Sequence, residues 1–142
     1  MDIFEKESYK EVVIKNNYNI IDFLLKEHVE FAILTYTNVI KFNPPIPKEI
    51  IEFEKQALFA IAAYTLDSAY LEGKNFIFEA GFGQENFGST LIVPLEAIYQ
   101  IVVEDVIVAI SYYEPKVINS MEILLNNPEN LKLIKRRKSN KK

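Results

Sequence analysis

The sequence holds no cysteine and no tryptophan, a single histidine and only four glycines in 142 residues. Without cysteine there is no disulfide, no thiolate nucleophile and no Cys-ligated zinc or iron–sulfur site, so redox chemistry of the chain's own thiols is excluded. One histidine, His28, leaves few routes to a metal site or a Ser–His pair, and at the end of a helical pattern its imidazole suits the helix dipole better than a metal. The glycines at 81, 83 and 88 lack the spacing of a dinucleotide fingerprint, and no lysine follows them as a phosphate loop requires. Apolar runs such as Ala57 to Tyr64 and Val106 to Ile110 fall far short of the roughly 18 to 20 residues needed to cross a bilayer. The first residues, MDIFEKESYKE, have neither the basic start nor the apolar core of a secretory signal, so a cytoplasmic protein with no membrane partner is expected.

What is present is an apolar, acidic body with a basic end. Hydrophobic residues make up 49% of the chain and charged ones 25%, a balance that folds rather than stays disordered, and the length suits one domain. Seven of the 16 Lys and Arg and one of the 20 Asp and Glu lie in residues 129 to 142, net +6; the remaining nine against nineteen give the body a net charge of −10. A body of that sign repels nucleic acid at long range, which makes a nucleic-acid partner unexpected outside the tail.

Periodicity divides the body into elements. Ile20, Ile21, Leu24 and Leu25 form one stripe of a helix over about residues 17 to 27, with a start as early as Glu7 allowed. Val29 to Phe42 alternates as a strand and stops at Asn43-Pro44-Pro45-Ile46-Pro47. Pro47 suits the first position of a short helix, KEIIEFE. From Ile50 to Gly73 helical spacing competes with strand-forming composition: one long helix, or a helix followed by strands. Asn75 to Phe82 and Thr90 to Val93 are strands around a loop, Leu95 to Gln100 a short helical turn, Val106 to Tyr113 another strand and Val117 to Leu125 a short helix. Glu104-Asp105 before a strand predicts a solvated turn rather than an acid/base pair.

The segment FEAGFGQENFGSTLIVPLEAI, residues 78 to 98, has no His, Cys or Lys. Any function it has must come from shape. Ala80 between Phe78 and Phe82 at period two leaves floor space between two aromatic walls, and Gly81 and Gly83 permit close backbone approach. The same three side chains would equally serve a core face, with the glycines serving the hairpin.

FIFEAGFG, a hairpin loop, LIVPLEAI and then ISYYEP resemble the stringent starvation protein B family, adaptors that deliver tagged polypeptides to a Clp-type AAA+ protease. The resemblance rests on Phe78, Ala80, Phe82-Gly83, Val93-Pro94-Leu95 and Ile98, is joined upstream by the layout of PKEIIEFEKQALFAIAAYTLDSAYLEGKNF, and spans roughly residues 20 to 115. It implies an α+β fold: an N-terminal helix, then a strongly bent antiparallel sheet forming an Sm-like sandwich or open barrel in residues 1–118, with residues 119–142 as a C-terminal segment. It also implies strands at about Ala57 to Ala62 and Leu66 to Leu71. It implies a non-enzymatic function without cofactor, in which an extended degradation tag lies in an apolar groove at Phe78, Ala80, Gly81, Phe82 and Gly83. Leu131, Lys132, Leu133, Ile134 and Lys135 are similar to the family's peptide that docks on the unfoldase. Ile20, Ile21, Leu24 and Leu25 would pair two chains into a homodimer, although packing of that stripe on its own sheet explains it as well. Two departures stand out: GQENFGST is longer than the family's compact turn, and Gly81 replaces what is often a larger side chain. RRKSNKK also runs beyond the docking peptide. The competing reading is a chaperone-like or Sm-like module that binds a protein or RNA partner through its sheet.

Overall fold

One long helix opens the chain, because Val13, Ile14, Asn17, Ile21 and Leu24 recur on a single face and are all buried. The computed structural model describes residues 2–116, and α1 spans Glu7–Lys26, the longer of the two extents the pattern allowed. It ends in a Schellman arrangement: the His28 N–H donates to the Leu25 carbonyl at 3.1 Å and the Val29 N–H to the Leu24 carbonyl at 3.0 Å. His28 takes the left-handed position (φ 54°) usually given to glycine, and its exposed ring lies 3.5 Å from Asp67.

Eight strands follow: β1 Phe31–Tyr36, β2 Lys41–Asn43, β3 Gln56–Ile61, β4 Tyr70–Glu72, β5 Asn75–Phe82, β6 Phe87–Pro94, β7 Ile98–Val103 and β8 Val106–Ile110. A short helix, α2, occupies Ala63–Ser68. The strands form two antiparallel four-stranded sheets, a first in the order β3-β1-β7-β8 and a second in the order β2-β6-β5-β4. The class is therefore α+β with an N-terminal helix, as expected, but the strands make two open sheets rather than a barrel. Their inner faces meet in one core, where Phe31, Ile33, Phe59, Ile61 and Ile101 oppose Phe76, Phe78, Leu91 and Val93.

Several local expectations are corrected. The run from Val29 to Phe42 is two strands, not one, because Thr37 turns the chain from one sheet to the other: its N–H donates to the Lys55 carbonyl at 2.9 Å, and its hydroxyl bonds the Glu54 and Lys55 carbonyls. No helix follows Pro47; only a turn closes there, with the Ile50 N–H on the Pro47 carbonyl at 3.0 Å. The extended course carries Phe53 into an aromatic cluster, 5.4 Å from Phe42 and 5.6 Å from both Phe59 and Phe82, and this packing outweighs helix propensity. The long helix over 50 to 72 is absent and β3 stands in its place. Only the last residues of the strand expected at Leu66 to Leu71 form one, because α2 takes residues through Ser68. Leu95 to Gln100 contributes a single 3₁₀ turn, Leu95–Ala97, before β7. Val117 to Leu125 and the boundary at 118 lie outside the described residues, as does the segment Leu131 to Lys135.

The stripe expected to pair two chains is consumed within one. Ile21 is 0% and Leu24 6% exposed, both in the core, while Ile20 and Leu25 pack against it. A helix covering the end of two sheets must spend its apolar face on them. The exposed apolar residues of α1 are instead Val12, Tyr18 and Phe23. Among the described residues no helix is long and apolar enough to cross a membrane.

The helix is fixed by a polar contact inside its apolar stripe. The Asn17 amide donates at 2.9 Å to the Leu95 carbonyl and at 3.0 Å to the Ile98 carbonyl, satisfying the buried corner between β6 and β7. Replacement by leucine keeps the volume and removes one donor from each carbonyl; the Leu95 carbonyl keeps the Ile98 N–H that closes the 3₁₀ turn, so the cost is that of about one buried unsatisfied group, about 1–3 kcal/mol. Asn17→Leu should therefore lower the unfolding free energy by about 1–3 kcal/mol in urea titration; a loss below about 0.5 kcal/mol would mean that the two bonds contribute nothing net.

Candidate functional site

Strand β5 outlasts its neighbour. Its eight residues all pair with β6, from Asn75 opposite Pro94 to Phe82 opposite Phe87, but β4 reaches only Asn75, Phe76 and Ile77. Beyond Ile77 the far edge of β5 has no strand. Helix α2 stands beside it, and Ser68 links the two: its hydroxyl accepts from the Glu79 N–H at 2.9 Å and donates to the Thr65 carbonyl at 2.8 Å. Since the Glu79 N–H points away from β6, strand alternation turns the Gly81 N–H and C=O the same way. Among the described residues these Gly81 groups have no hydrogen-bond partner.

Next to this open edge lies a pocket of about 610 Å³. Asn43, Thr90 and Glu79 cross three strands in register to form one row of it. Facing glycines, Gly81 and Gly88, form the next row, where missing side chains expose the backbone. One rim is Pro44, reached through a cis Asn43–Pro44 peptide and tied down by the Ser89 hydroxyl, which donates to the Pro44 carbonyl at 2.8 Å. The opposite rim is Ala62 to Thr65. There the Ala63 N–H, held in a left-handed conformation (φ 50°), donates to the Glu30 carboxylate at 3.2 Å.

Tyr64 joins its rim to the strand row, its hydroxyl donating to the Glu79 carboxylate. That hydrogen bond holds the Tyr64 phenol above its ordinary range. Among the described residues Glu79 is the only charged one lining the pocket, and these offer a polyanion no counter-charge. No cluster of three His, Cys, Asp or Glu side chains suited to a metal occurs among the described residues. What the pocket offers is backbone: unpaired strand groups, two glycines and small side chains.

The residues expected to line a groove divide between two faces. Ala80 and Gly81 line the pocket; Phe78, Phe82 and Gly83 do not. Phe78 is 0% exposed and packs on Phe59 and Phe76, while Phe82 meets Phe53 and Phe59, so the two intended aromatic walls are core. The Ala80 side chain shares that inward face and packs partly against the core. Gly83 serves the turn: its φ is +72°, and an added Cβ would come within 2.7 Å of Ile50 Cγ2. The expected loop shortens to the four residues between β5 and β6, Gly83 to Asn86. Gly81 is small for a different reason, since a Cβ there would lie 1.7 Å from Asn86 Oδ1, whose amide rests over the strand. Tyr64, Glu79, Asn86 and Thr90 were missed; the outward phase of the strand alternation marks Glu79 and Thr90, whereas Tyr64 on α2 and Asn86 in the turn carry no such signal.

No protein-family model matches the chain, and a search of curated proteins finds no match.

The turn makes a direct stability test. Gly83→Ala must adopt a positive φ and crowd Ile50, and should cost about 1–2 kcal/mol in urea titration; an unchanged midpoint would show that this hairpin end is free to re-form.

Proposed function

We propose that the chain is a peptide-capturing adaptor: an extended polypeptide end lies in the pocket beside β5, adds to that strand's open edge, and is passed to a Clp-type AAA+ unfoldase through the C-terminal tail. The observation that carries this reading is the mismatch of β5 and β4, which leaves backbone donors and acceptors waiting beside a pocket of about 610 Å³. Strand addition supplies affinity through main-chain hydrogen bonds and selectivity through pockets for alternate side chains. A floor of Gly81 and Gly88 and the methyl groups of Ala62 and Ala63 favour small residues, as in an alanine-rich tag.

The order helix, three strands, short helix, the β4–β5 and β5–β6 hairpins and the Val93-Pro94-Leu95 step supports assignment of the two sheets to the Sm-like sandwich of the stringent starvation protein B family. The docking peptide would be Leu131 to Lys135, and its tether would raise the local concentration of captured substrate at the unfoldase. Pairing of two chains through α1 would use Val12, Tyr18 and Phe23, the apolar residues that the core leaves exposed.

The decisive variant is Gly81→Val. Valine suits a strand and Gly81 is exposed, so the fold should survive, while the new side chain drives the Asn86 amide into the pocket. A labelled alanine-rich peptide should bind the wild type and lose at least about tenfold in affinity to the variant, about 1.4 kcal/mol. Truncation after Asn130 should leave that affinity intact and abolish stimulated degradation of a tagged substrate. Unaltered peptide affinity in Gly81→Val, or tighter binding of single-stranded RNA than of peptide, contradicts the proposal.

A further inference from the structure

The first sheet has an outer face that lacks the charged residues a solvated face normally carries. Two complete rows cross its four strands: Leu58, Leu34, Gln100 and Ile110 in one, Ala60, Ala32, Val102 and Ile107 in the other. Beside the first row, Tyr36 packs on Tyr99 at 5.1 Å and stands opposite Gln56. None of these side chains is charged. Leu58, Ile107 and Ile110 are 60%, 53% and 51% exposed. An antiparallel sheet with one solvated face alternates apolar inside and polar outside. Here both faces are apolar, which asks for a cover.

A second copy is too poor a cover. Four strands at about 4.8 Å spacing and about six residues of about 3.3 Å give a face of roughly 400 Å². Two such faces bury roughly 800 Å², below the roughly 1,200 Å² at which stable interfaces begin. A tethered segment of the same chain needs less area, because its effective concentration is on the order of millimolar.

The chain supplies such a segment at the right place. After β8 the Ser111 N–H donates to the Tyr99 carbonyl at 2.9 Å, and Glu114 reaches Lys55 at 3.2 Å, beside the first residue of β3. Glu114 is therefore within side-chain reach of the β3 edge, and the chain leaves β8 along this end of the sheet. The next nine residues, VINSMEILL, place Val117, Ile118, Met121, Leu124 and Leu125 on one helical stripe with a single charge, Glu122, off it. Nine helical residues span about 13.5 Å, close to the roughly 13 Å covered by three rows of outward side chains along a strand. Ala32 and Ala60 leave the low ground that a helix needs to approach a sheet closely.

We propose that the apolar segment 117–125 is the occupant of the outer face of the first sheet. The placement is independent of the peptide pocket, which belongs to the second sheet.

The absence of native cysteine makes disulfide trapping clean. Leu58→Cys combined with Met121→Cys or with Leu124→Cys, in the full chain, should oxidise to an intrachain disulfide in at least one pair. The rate should exceed that of the same pair carrying Ile118→Asp and Leu125→Asp, equally tethered but without the apolar stripe, by at least about tenfold, since a bond needs Cα atoms within about 7 Å. Truncation after Lys116 should raise binding of a dye for exposed apolar surface, whereas truncation after Asn130 should not. Interchain disulfides in place of intrachain ones would assign the face to a second copy, and rates equal to the control, or equal dye binding in both truncations, would leave the face uncovered; each overturns the proposal.

Discussion

The phase of a single strand governs this molecule. Phe76, Phe78 and Phe82 of β5 all point inward and meet Phe31, Phe53 and Phe59 across the core. Because side chains alternate with period two, a one-residue slip would send three phenylalanines into solvent. At about 1.5–3 kcal/mol for each buried large apolar side chain, that slip is forbidden. The same phase turns Glu79 and Gly81 outward and aims the backbone groups of both past the end of β4. The core thereby positions the candidate site without a residue dedicated to positioning it.

An open strand edge is ordinarily a liability, since it invites pairing with any extended chain. Here the exposed stretch is short and partly screened. Helix α2 stands where a longer β4 would run, Ser68 takes up one donor, and Tyr64 reaches across to Glu79. What remains is a narrow opening of the size of a few residues, beside a pocket too small for a folded partner. Indiscriminate stickiness becomes selective when the edge is reachable only by an unstructured segment with small side chains.

How much of this was legible depended on whether the cause was local. The β5–β6 hairpin and the turn at Glu104-Asp105 follow from alternation and from the polar turn residues between the strands. The helix after Pro47 failed because Phe53 gains more from three aromatic neighbours than the segment gains from its propensity. Asn17 was invisible: a polar residue among apolar ones reads as the wet side of a helix, and its partners lie 78 and 81 residues away. The aromatic walls expected of a groove at Phe78 and Phe82 are core, because two phenylalanines flanking an alanine describe a core row as well as they describe pocket walls. Only the packing of Phe78 and Phe82 on Phe59 of β3, across the core, distinguishes the two. The open edge could not be read at all, since it arises from where β4 stops, and that is set by α2, whose residues from Leu66 onward fit a strand equally well.

The central claim is that an extended peptide completes β5, and residue-resolved amide exchange tests it most directly. In the labelled protein the Gly81 amide should exchange freely and become strongly protected when the alanine-rich peptide saturates the chain, whereas the Ala80 amide, already directed at β6, should not change. Saturating peptide that leaves the Gly81 amide unprotected, or that protects residues of the first sheet in its place, would contradict the account.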